Sequence, residues 1–287
     1  MIQPRLLRRL RATFAALCVA APFLAGSAAH AQLIPDNWWL DIENDRADTI
    51  RDDLADGADP NLMSRDGQLS LLKAVAANSW KTFDVLLADP QTNVNAENKV
   101  GETPLMYVAL AGDMKRAQTL LARGAQVNKL GWTPLHYAAS KGQADMAKLL
   151  LEHGAMPNAP APDGISPLMM AAYANSRSTV QLLLTAGGDP LARDEGGHDA
   201  ADWAEKGQAF SLSKELKEVV AYRLQIRKQT GQDAPTQALP PKAPAPAPVP
   251  GGAKAPTQAA QPEQPSQQSN QGEDYVKGVS GIRLNKY

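Results

Sequence analysis

Three segments of the chain share one nine-residue pattern: GETPLMYVA at 101–109, GWTPLHYAA at 131–139 and GISPLMMAA at 164–172. In each copy Thr or Ser precedes Pro, which is typical of a helix N-terminus, because the hydroxyl accepts a backbone N–H and proline tolerates the first turn. A second apolar stretch follows each copy and ends at Gly124, Gly154 or Gly187, where we expect left-handed backbone. The pattern therefore predicts a pair of helices that recurs along the chain.

The repeated unit resembles the ankyrin repeat, whose Thr-Pro-Leu-His-x-Ala signature is complete at 133–138. Weaker copies extend the resemblance to about residues 35–228. The resemblance implies an all-α solenoid of about six helix-turn-helix repeats, in which stacking buries a continuous core that one repeat could not form alone. We place the repeats at 32–64, 65–97, 98–128, 129–160, 161–193 and 194–228.

One repeat is shorter than its neighbours. Thr103 and Thr133 are 30 residues apart, whereas the usual ankyrin period is about 33. The missing residues fall at Asn128–Gly131, in the hairpin or "finger" that leads from one repeat to the next. We therefore expect a stunted finger between the third and fourth repeats.

The N-terminus has the plan of a secretory signal peptide over residues 1–31. Four arginines precede a short apolar run, and small residues precede a cleavage point after Ala31. We expect cleavage there and a bacterial periplasmic location, with an uncleaved anchor and the twin-arginine route as alternatives. The single cysteine, Cys18, would leave with this peptide, which excludes an intramolecular disulfide framework and a cysteine-based zinc site.

The C-terminal part of the chain differs in composition from the repeats. Residues 229–274 form a Pro/Gln/Ala-rich linker, with ten prolines between 229 and 270, which we expect to be disordered. Residues 275–287 regain aromatic, aliphatic and basic side chains. We interpret this last segment either as a short docking peptide on a tether or as an unremarkable end.

The composition argues against several classes of function. Lys and Arg number 29 against 30 Asp and Glu, so the strong basic excess of most nucleic-acid binders is missing. We found no phosphate-cradling glycine loop and no nucleophile elbow. His136 occupies the signature position of the repeat, where the resemblance implies a structural role, and nothing groups it with His153 or His198 as metal ligands. We expect no catalytic residue, cofactor or metal site.

The resemblance implies binding of another protein on the concave face, which finger residues and the exposed side of the first helices build. Trp132 and Tyr173 are apolar at positions where a free surface is usually polar, and both are typical interface residues. The alternative is that Trp132 folds back to cover the stunted finger. Carried over position by position, the predicted partner-binding residues are Glu102, Leu110, Trp132, Lys141, Ile165 and Tyr173.

The sequence thus predicts a monomeric, non-catalytic protein-binding module in the periplasm, without stable membrane insertion after signal cleavage. The repeats carry 26 acids and 20 bases, which favours a basic partner. One alternative is an immunity-type or protective binder of an exported toxin or enzyme. Another is an envelope spacer that acts through its tail, and an enzyme is the third class considered.

Overall fold

The computed structural model describes residues 34–231 and residue 239. Within this part of the chain there are twelve α helices, one short 3-10 turn at Pro162–Gly164, and no β-strand. The helices form six pairs: α1 Trp38–Glu43 and α2 Ala47–Ala55; α3 Ser70–Ala76 and α4 Trp80–Ala88; α5 Pro104–Ala111 and α6 Met114–Ala122; α7 Pro134–Ser140 and α8 Ala144–Glu152; α9 Pro167–Tyr173 and α10 Arg177–Thr185; α11 Ala200–Lys206 and α12 Phe210–Thr230. The predicted all-α solenoid of about six repeats is confirmed, while the residue limits of each repeat stay a prediction.

The pairs stack in sequence order. The first helices form one layer, in which α1, α3, α5, α7, α9 and α11 each contact the next. The second helices form an outer layer, in which α2 packs on α4 and α8 on α10. Leu105, Leu135 and Leu168, which follow the Thr-Pro or Ser-Pro pairs, are buried between the layers. Their burial at one point of every repeat gives the stack its continuous core.

Glycines end the outer helices as expected. Gly124, Gly154 and Gly187 have φ values of 84°, 85° and 94°. This left-handed backbone costs little only for glycine, which has no Cβ to clash with the neighbouring carbonyl.

In α7 and α9, the third residue of the helix makes a polar contact with the Thr or Ser that precedes the helix. At Ser166 the hydroxyl accepts the backbone N–H of Met169 at 3.3 Å. At Thr133, Nδ1 of His136 accepts the backbone N–H at 3.2 Å and lies 2.9 Å from the hydroxyl. Nε2 of His136 lies 3.1 Å from the carbonyl of Ile165 in the next repeat. Since Nδ1 accepts, Nε2 carries the proton and donates, so His136 is a neutral link between repeats.

Four asparagines form a second link between repeats, which the sequence analysis missed. They are Asn61, Asn95, Asn128 and Asn158. Each amide N–H donates to a carbonyl after the next outer helix, at 2.8–3.0 Å. Each Oδ1 accepts a backbone N–H two residues further on, at 2.7–2.9 Å. This ladder pairs main-chain groups that the ends of helices leave unsatisfied.

The last repeat differs from the others in its outer helix. α12 has 21 residues, whereas α2, α4, α6, α8 and α10 have nine each. Beyond it, Leu239 is buried against the stack and its N–H donates to Oε1 of Gln181 at 2.8 Å. The predicted signal peptide at 1–31, nearly all of the linker at 229–274 and the segment 275–287 lie outside the described residues. Among the helices that are described, none is both long and apolar enough to span a bilayer.

Candidate functional site

Five fingers open the second to sixth repeats, and we number them by the repeat that they open. They are finger 2 (64–68), finger 3 (98–102), finger 4 (128–132), finger 5 (161–165) and finger 6 (194–198). In fingers 2, 3, 5 and 6 the first residue accepts the N–H of the glycine and donates its own N–H to the carbonyl of the last residue. In finger 3, for example, Gly101 donates to Asn98 at 2.9 Å and Asn98 donates to Glu102 at 3.0 Å. These two hydrogen bonds close each of the four fingers into a tight turn.

Finger 4 has neither of these two hydrogen bonds. Its main chain is held instead by the side chain of Lys129, which pairs with Glu97 at 2.9 Å and donates to the carbonyl of Gly101. The deletion of three residues explains the difference, because the shorter loop cannot close the turn and is tied to finger 3. The stunted finger expected from the sequence is therefore present.

Glu102 in finger 3 is not at the surface, so its predicted exposure is wrong. Its side chain is 1% exposed and accepts three hydrogen bonds. Oε2 accepts from the Tyr107 hydroxyl at 2.6 Å and from the Asn98 amide at 2.7 Å, and Oε1 accepts from the Tyr137 hydroxyl at 2.7 Å. Tyr137 belongs to the next repeat. A buried carboxylate needs such donors, and here they join the third repeat to the fourth.

Trp132 and Ile165 are also buried, which corrects their predicted exposure. The Trp132 side chain is 8% exposed and packs edge-to-face on His136 and Tyr137, with ring centroids 5.4 and 6.5 Å apart. Its Nε1 has no hydrogen-bond acceptor. Trp132 is thus folded back under the stunted finger, which is the alternative arrangement considered for it. Ile165 lies in the apolar core, and its carbonyl is 3.1 Å from Nε2 of His136.

The other three predicted residues remain accessible. Lys141 is exposed after α7, and Leu110 and Tyr173 are half-buried on α5 and α9. Tyr173 packs edge-to-face on Trp203 with centroids 5.9 Å apart. The partner-binding role of these three residues stays a prediction.

Among the exposed large apolar residues, two lie in the fingers, and the sequence analysis missed both. Leu130 at the tip of finger 4 is 97% exposed, and Val100 at the tip of finger 3 is 57% exposed. A signal for them exists in the sequence. The residues just before the glycine of the five fingers are Asp66, Val100, Leu130, Asp163 and Gly196. Only fingers 3 and 4 have an aliphatic residue there, so adjacent fingers present two apolar tips. We call Val100 and Leu130 the tip pair.

The charge of the stack is unevenly distributed. Of the 26 acids and 20 bases in residues 32–228, nine acids and two bases lie in 32–64, which leaves 17 acids and 18 bases in 65–228. The acidity thus belongs to the first repeat, whereas the two repeats that carry the tip pair, residues 98–160, have four acids and seven bases. The expectation that the repeat domain as a whole attracts a basic partner does not extend to fingers 3 and 4.

Two titratable groups beneath finger 4 keep the protonation states that their hydrogen bonds need. Burial lowers the pKa of His136 to about 4, which keeps the ring neutral near pH 7. Burial raises the pKa of Tyr137, and the hydrogen bond to Glu102 adds to this effect, so its hydroxyl remains a donor. Among the described residues, no group of three His, Cys, Asp or Glu side chains is arranged to hold a metal ion.

The central part of the chain matches a known family. The family model for ankyrin repeats matches residues 71–161 and 120–194. Residues 71–194 are ankyrin repeats. Ankyrin repeats generally form non-catalytic modules for protein–protein interaction, and the match points to no catalytic family.

Two relatives contain a similar stretch. The chain is 28% identical over 149 residues to the mitochondrial disaggregase of Bos taurus, a match that covers 50% of this chain and 22% of that protein. It is 34% identical over 82 residues to the Neurogenic locus Notch protein of Drosophila melanogaster, a match that covers 29% of this chain and 3% of that protein. The chain therefore spans about a fifth or less of these curated relatives, and the similarity concerns a limited part of each.

Proposed function

We propose that this protein is a non-catalytic binder exported to the periplasm, and that it captures a partner protein on the finger side of the third to fifth ankyrin repeats. The tip pair is the anchor of this surface. Leu110 on α5, Tyr173 on α9 and Lys141, directly after α7, flank it.

The observation that carries the proposal is the exposure of the tip pair. A leucine that is 97% exposed gains nothing from the fold of its own chain. Its burial against a partner removes apolar surface from water, which is the main favourable contribution to protein association.

The proposed location follows from the sequence of residues 1–31, with its arginines, short apolar run and small residues before the cleavage point. Cell fractionation followed by N-terminal sequencing tests it. A periplasmic protein that begins at Gln32 is expected. A cytoplasmic protein that begins at Met1 would refute export.

Capture from a periplasmic extract, followed by mass spectrometry, tests the binding surface. The bait is the chain from Gln32, and the test variant is Val100→Asp/Leu130→Asp. The matched control is Met156→Asp/Leu224→Asp, since these residues are 51% and 43% exposed but lie outside the fingers. We expect the wild type and the control to retain a common partner and the finger variant to lose it.

A variant truncated after Leu239 separates the fingers from the tail. Retention of the partner by this variant, together with loss in the finger variant, supports the proposal. The opposite pattern would transfer the function to the tail and favour the envelope-spacer alternative. Retention by both variants would exclude the tip pair as the anchor.

A further inference from the structure

The two ends of the stack carry opposite charges. At the N-terminal end, one side of α2 faces α4, since Asp48, Arg51 and Ala55 line the groove between these helices. Helical geometry places Asp52, Asp53 and Asp56 on the other side of α2, which has no neighbouring repeat within the described residues. This free side of α2 therefore has three carboxylates and no base. We call it the acidic end.

The carboxylates at the acidic end lack compensating charge. Oδ2 of Asp53 is buried and has no hydrogen-bond partner. Burial raises the pKa of Asp53, and the negative charges of Asp41, Asp56 and Asp52 raise it further. Asp41 itself is paired with Arg46 at 2.8 Å. A cation brought to this side of α2 would relieve the repulsion among the remaining three aspartates.

The C-terminal end has the complementary chemistry. One side of α12 faces α10 through the Glu215–Arg177 ion pair. The free side carries a stripe of residues three or four apart: Phe210, Lys214, Lys217, Ala221, Leu224 and Lys228. The stripe contains three lysines and no acid, and Phe210 is 68% exposed. We call it the basic end.

The stacking rule of the fold brings these two ends together in a second copy. Inside the stack an outer helix packs beside the outer helix of the following repeat, as α2 does on α4 and α8 on α10. If a second copy continues the stack, its α2 lies beside α12 of the first. The first nine residues of α12 match the nine-residue length of α2, so Lys214 and Lys217 come level with the aspartates.

We propose that copies of this protein associate head to tail, with the basic end of one copy against the acidic end of the next. Lys214 and Lys217 pair with the exposed Asp52 and Asp56, and Phe210 supplies apolar contact. The contact is heterologous and does not close, so dimers extend into short chains as the concentration rises. A concentration-dependent equilibrium thus replaces the monomer expected from the sequence.

The association is weak and depends on salt. Exposed ion pairs contribute little individually and are screened over about 8 Å at physiological ionic strength. We therefore expect the association constant to fall roughly tenfold or more between low and high salt. Lys217 also bonds Glu205 within its own chain, so Lys214 is the freer of the two lysines.

Sedimentation equilibrium tests the proposal on the purified protein alone. The protein is used with the N-terminus that processing in the cell leaves. The basic-end variant is Lys214→Glu/Lys217→Glu, and the acidic-end variant is Asp52→Lys/Asp56→Lys. We expect the average mass of the wild type to rise with concentration and each variant to associate roughly tenfold less, because attraction becomes repulsion. Thermal melting checks that each variant is folded.

A chain with both changes is the decisive sample, because its ends are again complementary. We expect it to recover the association of the wild type. Equal mixing of the two single-end variants should also recover association, because every junction between alternating copies joins an acidic end to a basic end. The matched control is Lys115→Glu/Lys148→Glu, on exposed lysines of the central outer helices, which should associate like the wild type.

Three results would overturn the proposal. They are a wild type that stays monomeric at all concentrations in low salt, single-end variants that associate as strongly as the wild type, or a chain with both changes that does not recover. A loss in the control variant equal to that in the end variants would show a general charge effect and would equally reject the contact.

Discussion

Fingers 3 and 4 occupy equivalent places in adjacent repeats but are built in opposite ways. Finger 3 closes its own turn and inserts Glu102 into the stack, where three donors hold the carboxylate. Finger 4 closes no turn, buries an indole whose N–H has no acceptor, and leaves Leu130 in solvent. The comparison shows that the residue before Thr-Pro is buried in the stack in both fingers, whereas the residue at the tip is exposed.

The largest effect that we expect comes from the buried ring of finger 4. Trp132→Ala should lower the free energy of unfolding by about 4 kcal/mol, because it removes a buried ring and leaves a cavity. Urea denaturation followed by circular dichroism measures this. Leu130→Ala is the control, two residues away and in solvent. A Trp132→Ala protein as stable as the wild type would show that finger 4 does not depend on the indole.

The equivalent change in finger 3 should be slightly smaller. Glu102→Ala leaves two tyrosine hydroxyls and one amide without this acceptor, and we expect a loss of about 3 kcal/mol. The same denaturation experiment applies, with Glu195→Ala as the control, since Glu195 is an exposed carboxylate of finger 6. Equal stabilities of the two variants would contradict a structural role for the Glu102 carboxylate.

The free energy of unfolding should depend on pH through the residues beneath finger 4. Burial lowers the pKa of His136 from 6.5 to about 4. As the pH falls, the unfolded chain therefore binds a proton at His136 before the folded chain does. The free energy of unfolding therefore has its full contribution from His136 above pH 6.5. This contribution is lost as the pH falls towards 4. Between pH 7.5 and pH 5 we expect the wild type to lose about 2 kcal/mol more stability than His136→Gln.

Unfolding curves at several pH values in this range measure the difference. Parallel losses in the two proteins would mean that His136 does not titrate across the transition. His153→Gln, a change at an exposed histidine, is the matched control for the loss of an imidazole.

The smallest effect should be at the tip pair. Leu130→Ser should change the free energy of unfolding by less than about 0.5 kcal/mol, because a residue already in solvent loses no contacts. Denaturation midpoints of the wild type and the variant test this directly. A loss above about 1 kcal/mol would indicate that Leu130 packs within the chain and would sharpen the choice of anchor in favour of Val100.

Local patterns were enough to predict the helix pairs. Thr-Pro before an apolar run and glycine after the next one fix where helices begin and end within a few residues of chain. Spacing alone also located the stunted finger, because a loss of three residues between Thr103 and Thr133 has to shorten a loop if both helices are kept. The Asn ladder was equally visible in the spacing of Asn61, Asn95, Asn128 and Asn158, although it was not recognised.

Burial at the site could not be predicted in this way. Glu102, Trp132 and Ile165 share one position of the repeat, and their exposure was inferred from that position. Their neighbours decide otherwise: Tyr137 reaches Glu102 from the following repeat, and His136 and Tyr137 pack beneath Trp132. A repeat pattern records positions along the chain and contains no information about which side chain of the next repeat will meet them.

The sequence by itself determined the architecture of this protein, since capping residues, apolar periodicity and repeat length act within or between adjacent segments and need no knowledge of side-chain placement. The tertiary structure alone decided which apolar residues remain in solvent. Stacking buries the residues before Thr-Pro or Ser-Pro in fingers 3 to 5 and leaves the tip pair exposed. It also decided that charge separates between the acidic end and the basic end, because stacking gives every internal helix a neighbour and leaves one free side at each end.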